Sequence, residues 1–429
     1  MIENIKKFVQ SNPQRDFIAQ FSWSTAFVFM TSGVFLSGLA VSIGASDVLI
    51  GYLTAIPNIC GILILFFSSL IERATNRKKL AVLLSILSRL VTLLIVLIPQ
   101  FQLGSLTVPV FVMVVITAFT LQAQTTVVIN NWMVNFIDGK KRGQYISLRQ
   151  TVSLVVTVIL SLVVGRIVDN ASQQYTGLLI VFGIAFLVSI VEVITLLRIP
   201  NASGGELLKV KYKLSDIIRT PMKNKPFLGF VLYVSLFYFW LYISDSFTVL
   251  YMMRYLGLPY ATITGLQMLI SLPQVLLLRV WGKLSDKRGH KFVLASSIWL
   301  FMGEGMFLAL SNGGNYMLTI SVAFLFAAAA NSGFVVAVFN RRYELMPENG
   351  RILHDNFYSA AIGIAFILGP VVGGLIKDMV VSSSLGSVLE FGEIRVLYLV
   401  SMIGILLLQF GSILYRKRGK SGCDVSECM

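Results

Sequence analysis

Runs of about twenty apolar residues recur along nearly the whole chain, each long enough to cross a hydrocarbon core of roughly 30 Å. Twelve such runs are read at 17–43, 48–71, 79–99, 107–136, 144–168, 175–199, 226–252, 260–281, 291–311, 315–340, 355–377 and 393–415. The bilayer core offers backbone N–H and C=O groups no water, so these runs must satisfy their own hydrogen bonds as helices. The expected fold class is an all-α membrane protein with twelve transmembrane helices. Composition agrees: 56% of the 429 residues are hydrophobic and only 13% are charged, too few polar groups to wet the outside of a soluble domain.

The formal net charge is +15, but the cations follow topology rather than a nucleic-acid surface. One set of connections carries Arg73, Arg77, Lys78, Lys79, then Lys140, Lys141, Arg142, then Lys209, Lys211, Lys213, Arg219, Lys223 and Lys225. It continues with Lys283, Lys287, Arg288, Lys291, then Arg341, Arg342, Arg351, and ends on Arg416, Lys417, Arg418, Lys420. The alternate connections hold few cations, chiefly Arg254, Lys377 and Arg395. The positive-inside rule then places both termini in the cytoplasm of a plasma-membrane protein. No interleaved basic and aromatic surface marks a nucleic-acid binder. Lys6, Lys7 and Arg15 precede a first run too long for a signal-peptide core, so it is expected to be retained. Three cysteines, Cys60, Cys423 and Cys428, make neither a disulfide framework nor a zinc spacing. No metal and no cofactor is expected.

The chain reads as two halves. A polar, basic stretch at 200–225, bounded by Pro200 and Pro226, has six runs on either side. The expected organisation is an N-terminal six-helix bundle at 1–199, a cytoplasmic linker at 200–225, and a C-terminal six-helix bundle with a short tail at 226–429. The halves repeat at an offset of 214: Ser68, Leu70, Glu72, Arg73, Thr75 and Arg77 run parallel to Gly282, Leu284, Asp286, Lys287, Gly289 and Lys291. Two pseudo-symmetric halves are a common way to build a transporter, with the solute site at the repeat interface.

The second copy of that loop resembles the signature of the major facilitator superfamily, G-x-L-x-D-R-x-G-x-R/K, through Gly282, Leu284, Asp286, Lys287, Gly289 and Lys291. The first copy is degraded, with Ser68 and Thr75 for the glycines and Glu72 for the aspartate. Leu368-Gly369-Pro370 followed by Gly373 and Gly374 also looks like a packing motif of that family. The resemblance implies that Asp286, and more weakly Glu72 with Arg73, latch the halves on the cytoplasmic side. The physics fits, because glycines permit a tight turn and an acid is favoured at a helix N-terminus. The family's drug antiporters often carry R-x-x-x-G in the fourth span and a glycine–proline motif in the fifth. Neither is present here, which disfavours a drug/proton antiporter.

The resemblance further implies a cavity lined mainly by spans one, four, seven and ten. In the fourth, Thr117, Thr120, Gln124, Asn131 and Asn135 fall on one narrow helical stripe. In the seventh, Ser235, Tyr238, Tyr242 and Asp245 do the same, and the repeat offset pairs them with Phe21, Ser24, Val28 and Thr31 in the first. The tenth contributes Asn331. The cavity candidates are thus Ser24, Thr31, Gln124, Asn131, Tyr238, Tyr242, Asp245 and Asn331. Two readings stay open for the tyrosines and Asp245: a solute cavity, or an interfacial belt at the outer headgroups. Arg89, Arg166, Glu192 and Glu304 are four other ionisable residues further inside spans, whereas Arg149, Arg198 and Arg279 lie close enough to cytoplasmic ends to need no special account. Such groups cost at least about 2.5 kcal/mol unless paired or hydrated. Arg89 with Glu192 suits a structural pair as well as a proton relay, while Asp245 and Glu304 are the coupling candidates. The family's third, sixth and ninth spans are usually peripheral, so the ninth span, which carries Glu304, is expected at the periphery.

These observations point to a secondary transporter, monomeric in the bilayer, moving a small organic solute and coupled to protons. The alternatives are a drug/proton antiporter, or a lipid scramblase or flippase on the same fold. An enzyme is not expected, for His290 and His354 are the only histidines and no phosphate-binding loop or metal-ligand cluster is visible.

Overall fold

The computed structural model describes residues 12–53, 56, 60, 76–133, 136–137, 142–201, 214–347, 351–382 and 391–419. The described residues contain helices and turns and no strand. The first span is split into α1 (Pro13–Thr31) and α2 (Gly33–Ser42). There follow α3 (Arg77–Leu97), α4 (Thr107–Met133), α5 (Arg142–Asp169) and α6 (Gln174–Arg198). The linker contains a short helix, α7 (Leu214–Lys223). After it come α8 (Lys225–Asp245), α9 (Tyr260–Arg288), α10 (His290–Ala309), α11 (Tyr316–Leu345), α12 (Arg351–Ser382) and α13 (Gly392–Gly419).

Among the described residues, eleven helical segments are long and apolar enough to cross a membrane. They match eleven of the twelve expected spans. The remaining one, at 48–71, lies largely outside the described residues, although 47–53 is helical. Local chemistry sets several starts: Asn12, Asn76 and Asn224 each accept first-turn backbone N–H bonds on their side chains, relieving donors that a helix leaves unpaired. Pro13 and Pro226 stand where a missing N–H costs nothing.

Two compact units emerge. The first comprises Met1–Ala45, Leu63–Lys209 and Pro259–Thr264; the second comprises Ser46–Ile62, Val210–Leu258 and Gly265–Met429. The core of the first includes Phe17, Ala81, Val128, Trp132 and Leu196. The core of the second is aromatic, with Phe227, Phe237, Phe301, Phe334 and Phe366. Many exposed side chains are apolar as well, among them Leu83, Met113, Leu187, Leu276, Leu318 and Leu407, as suits a chain whose solvent is a bilayer.

Candidate functional site

In the first unit the polar residues of α1 turn onto a closed charge cluster. The Arg89 guanidinium of α3 meets Glu192 Oε2 of α6 through Nη2 at 2.6 Å and Nε at 3.0 Å. Gln20 Nε2 donates to the other carboxylate oxygen at 2.9 Å. Arg89 Nη2 also donates to Ser24 Oγ at 3.0 Å, and Nη1 donates to Gln122 Oε1. Phe27 places its ring centre 4.1 Å from the guanidinium carbon. Arg89 and Glu192 are 2% and 0% exposed. Opposite charges with their hydrogen-bonding groups met can remain buried in apolar surroundings. Arg89 and Glu192 thus form an ion pair, and Ser24 belongs to that pair's surroundings. The contributions of Gln20 and Gln122 were not foreseen, although Gln20 lies one helical turn before Ser24 and so shares its face.

Arg149 departs from expectation in another way. Near a cytoplasmic helix end it was expected to need no special account, yet it is buried. It donates to Asn130 Oδ1 at 3.2 Å and stacks 3.9 Å from the Phe21 ring centre.

The α4 stripe divides. Thr117 is exposed and returns its hydroxyl to the Met113 carbonyl at 2.8 Å. Thr125 and Thr126 make the same return to Leu121 and Gln122. The Thr120 hydroxyl and both polar atoms of Gln124 are enclosed without a hydrogen-bond partner. One turn apart, they form the least satisfied part of this helix. Asn131 lies within α4, but its side chain falls outside the described residues, as does Asn135 altogether.

The second unit carries the aromatic stripe. Tyr238 and Tyr242 are half-buried. The Tyr242 ring lies 4.4 Å from Phe366, and the Tyr238 ring 5.1 Å from Phe366 and 5.4 Å from Phe334. Both tyrosines lie near the middle of the helical stretch Lys225–Tyr255. Asp245 ends α8, ten residues before the end of that span at Tyr255. Asp245 and Glu304 lie close enough to interact electrostatically with each other and with the Tyr398 hydroxyl, which is 3.0 Å from Thr248 Oγ1. Glu304 is 7% exposed. The α10 side chain is therefore buried among its neighbours. Neither carboxyl has a cationic ion-pair partner among the described residues. Asn331 is half-buried on α11.

Helix interruptions occur at repeat-related positions. The first span ends α1 at Thr31, passes through an extended Ser32, and restarts at Gly33 with φ +50°. Thr31 and Ser32 return their hydroxyls to the Phe27 and Val28 carbonyls at 2.8 and 2.6 Å. The seventh span ends α8 at Asp245, makes a short helical turn at Thr248–Leu250, and finishes as a π-turn over Tyr251–Tyr255. Thr31 and Asp245 differ by the repeat offset.

The loop signature is partly realised. Gly289, at φ +85°, makes the turn that starts α10, with its N–H bonded to the Ser285 carbonyl at 2.9 Å. Only glycine adopts that conformation freely. Gly282 instead lies inside α9, so it is not part of the turn as expected. Asp286 and Lys287 are exposed, and Lys291 sits in the first turn of α10. A cleft of about 550 Å³ is lined by Asp286, Gly289, Lys291, Arg341 and Glu344 among others. Arg341 and Glu344 pair across 2.9 Å. Glu72 and Arg73 fall outside the described residues.

A sequence description of the Major Facilitator Superfamily matches residues 17–271, more than half of the chain. The chain belongs to the major facilitator superfamily. Membership makes it a multi-pass membrane transporter rather than an enzyme. Solved structures of the superfamily share its fold. The nucleoside transporter NupG, in a mutant form, superposes with a TM-score of 0.76 at 12% identity, covering 94% of this chain and 99% of that one. A D-xylose–proton symporter gives 0.66 at 13% identity, covering 92% and 96%. A bacterial homologue of the iron transporter ferroportin, inward-facing, gives 0.66 at 17%, covering 94% and 97%. No curated protein matches the chain in sequence. At these identities the likeness is one of fold, and the superfamily's many solutes leave the choice to the side chains just described.

Proposed function

We propose that this superfamily member is a twelve-helix, proton-coupled secondary transporter that moves a small, polar organic solute by alternating access. The reading places it in the plasma membrane as a monomer with both termini in the cytoplasm. The observation that carries it is the pair of helix interruptions at Thr31–Gly33 and Asp245–Phe247. Interrupted spans at corresponding positions of two repeats free backbone groups in mid-membrane, and such groups are where transporters hold solutes and coupling ions. Gln124 and Thr120 supply unsatisfied hydrogen-bonding groups, and Tyr238 and Tyr242 supply aromatic faces. Neutral polar groups beside rings suit a neutral, hydroxyl- or amide-bearing solute. Asp245 is the proton carrier in this reading, with Glu304 next in line, since a carboxyl can take up and release a proton.

The test begins with the metabolite content of cells with and without the gene. Solutes of nucleoside and pentose size head the panel, because transporters of such solutes share the fold. A solute whose level changes is then offered to proteoliposomes holding the purified chain, where saturable flux is expected. Unchanged metabolites together with accelerated phospholipid exchange between leaflets would replace solute transport with lipid scrambling.

A further inference from the structure

Positive-inside topology leaves Arg254, Lys377 and Arg395 on the cation-poor side, and in the structure all three are engaged. Arg395 Nε donates to the Ala309 carbonyl at 2.6 Å. The other two converge within the second unit on one carboxylate. Lys377 Nζ lies 2.7 Å from Asp47 Oδ2, and Arg254 Nη1 bonds Asp47 Oδ1. The side chains of Lys377 and Asp47 are 9% and 15% exposed, whereas that of Arg254 is 47% exposed. Three chain segments thus meet at one acid: the start of the helical segment 47–53, the π-turn that ends the seventh span, and the outer part of α12.

Below the acid, the same segments fit closely. A Cβ on Gly374 of α12 would stand 2.6 Å from a Val48 methyl, and one on Gly51 would stand 3.1 Å from the Phe247 ring. Small residues here let helices approach at van der Waals distance. The contact packs the buried Phe247 ring against Gly51 and Gly373. Directional holding comes from the ion triad, in which each carboxylate oxygen takes one cationic donor.

We propose that Asp47, Arg254 and Lys377 form an outer clasp that holds segment 47–53 against α12 and parts once in every transport cycle. The proposal rests on the alternating-access reading. Removing the carboxylate does two things. It deletes both attractions, and it leaves Lys377, which has little water, beside a second cation. Loss of a partly buried partner in this way shifts the closed-to-parted ratio by about tenfold toward parted.

The experiment measures the distance across the seam. Spin labels are placed at Ser46→Cys and Val381→Cys, both exposed, in a full-length chain with Cys60, Cys423 and Cys428 replaced, reconstituted in nanodiscs without solute. The unaltered triad is expected to give mostly the short distance. Asp47→Asn should move the distribution toward a longer one by about tenfold in population ratio. The double variant Asp47→Lys with Lys377→Asp keeps one anion among two cations and should restore the short distance. An Asp47→Asn distribution identical to the parent overturns the clasp. A shifted distribution that the double variant does not restore also overturns it, because position 47 then acts through something other than charge. The readout needs no solute, so failure of the transport reading, seen as absence of flux, is distinguishable from failure of the clasp.

Discussion

Glu192→Gln removes the one negative charge bound to Arg89 while keeping size and shape. In the parent, Glu192 receives two contacts from Arg89, at 2.6 and 3.0 Å, and one from Gln20 at 2.9 Å. Both charged residues are almost wholly buried. Breaking such a pair from one side costs about 3–5 kcal/mol, because the remaining charge is stranded. The amide can keep one bond to the guanidinium, while Ser24, Gln122 and the Phe27 ring still hold the cation, the ring contributing up to about 2 kcal/mol when desolvated. A loss near 3 kcal/mol is expected, roughly a hundredfold in the unfolding equilibrium. The assay is unfolding of the purified chain in mixed micelles, followed by tryptophan fluorescence. The double variant Arg89→Leu with Glu192→Leu should lie within about 1 kcal/mol of the parent, since apolar replacement of a buried pair is often neutral or better. A Glu192→Gln protein as stable as the parent would refute the pairing argument. Full stability in the double variant with transport abolished would instead make the pair a working relay.

Two further outcomes concern the moving parts. Asp286→Asn should slow transport several-fold at unchanged protein level, measured as initial solute flux, because the loop acid is exposed and free to meet a partner as the cytoplasmic side closes. Equal flux in the two proteins would show the loop to be topological only. Asp245→Asn should abolish gradient-driven accumulation while sparing solute binding measured by equilibrium titration, with Glu304→Gln weaker. If Asp245→Asn still couples fully, the carrier is another group, with Glu304 next.

Much of the fold was legible because membrane spans are written in length and hydropathy alone, and eleven expected runs coincide with helices. The Arg89–Glu192 pair was legible for the same reason: an isolated charge in hydrocarbon demands a partner. Gln122 was not, because it lies about 200° around the helix from Gln124 and outside the polar stripe being followed. The burial of Glu304 was not legible, because a family habit for whole spans says nothing about which face a single residue occupies. Gly282 looked like a turn residue by motif, yet the α9 hydrogen-bond ladder continues past it to Arg288. The split at Thr31–Gly33 left only Ser32-Gly33 as a signal, and serine–glycine pairs also occur within continuous spans. The ion triad had no local signal at all: positions 47, 254 and 377 come together only through packing.

The most direct measurement uses proteoliposomes containing the purified chain, a defined proton gradient, no nucleotide, and equal solute on both sides. A gradient-coupled alternating-access transporter builds a solute difference across the membrane, and an ionophore that collapses the gradient dissipates it. Solute that remains equal on both sides while the gradient persists, in vesicles that exchange the same solute rapidly, would contradict proton coupling and leave a facilitator in its place.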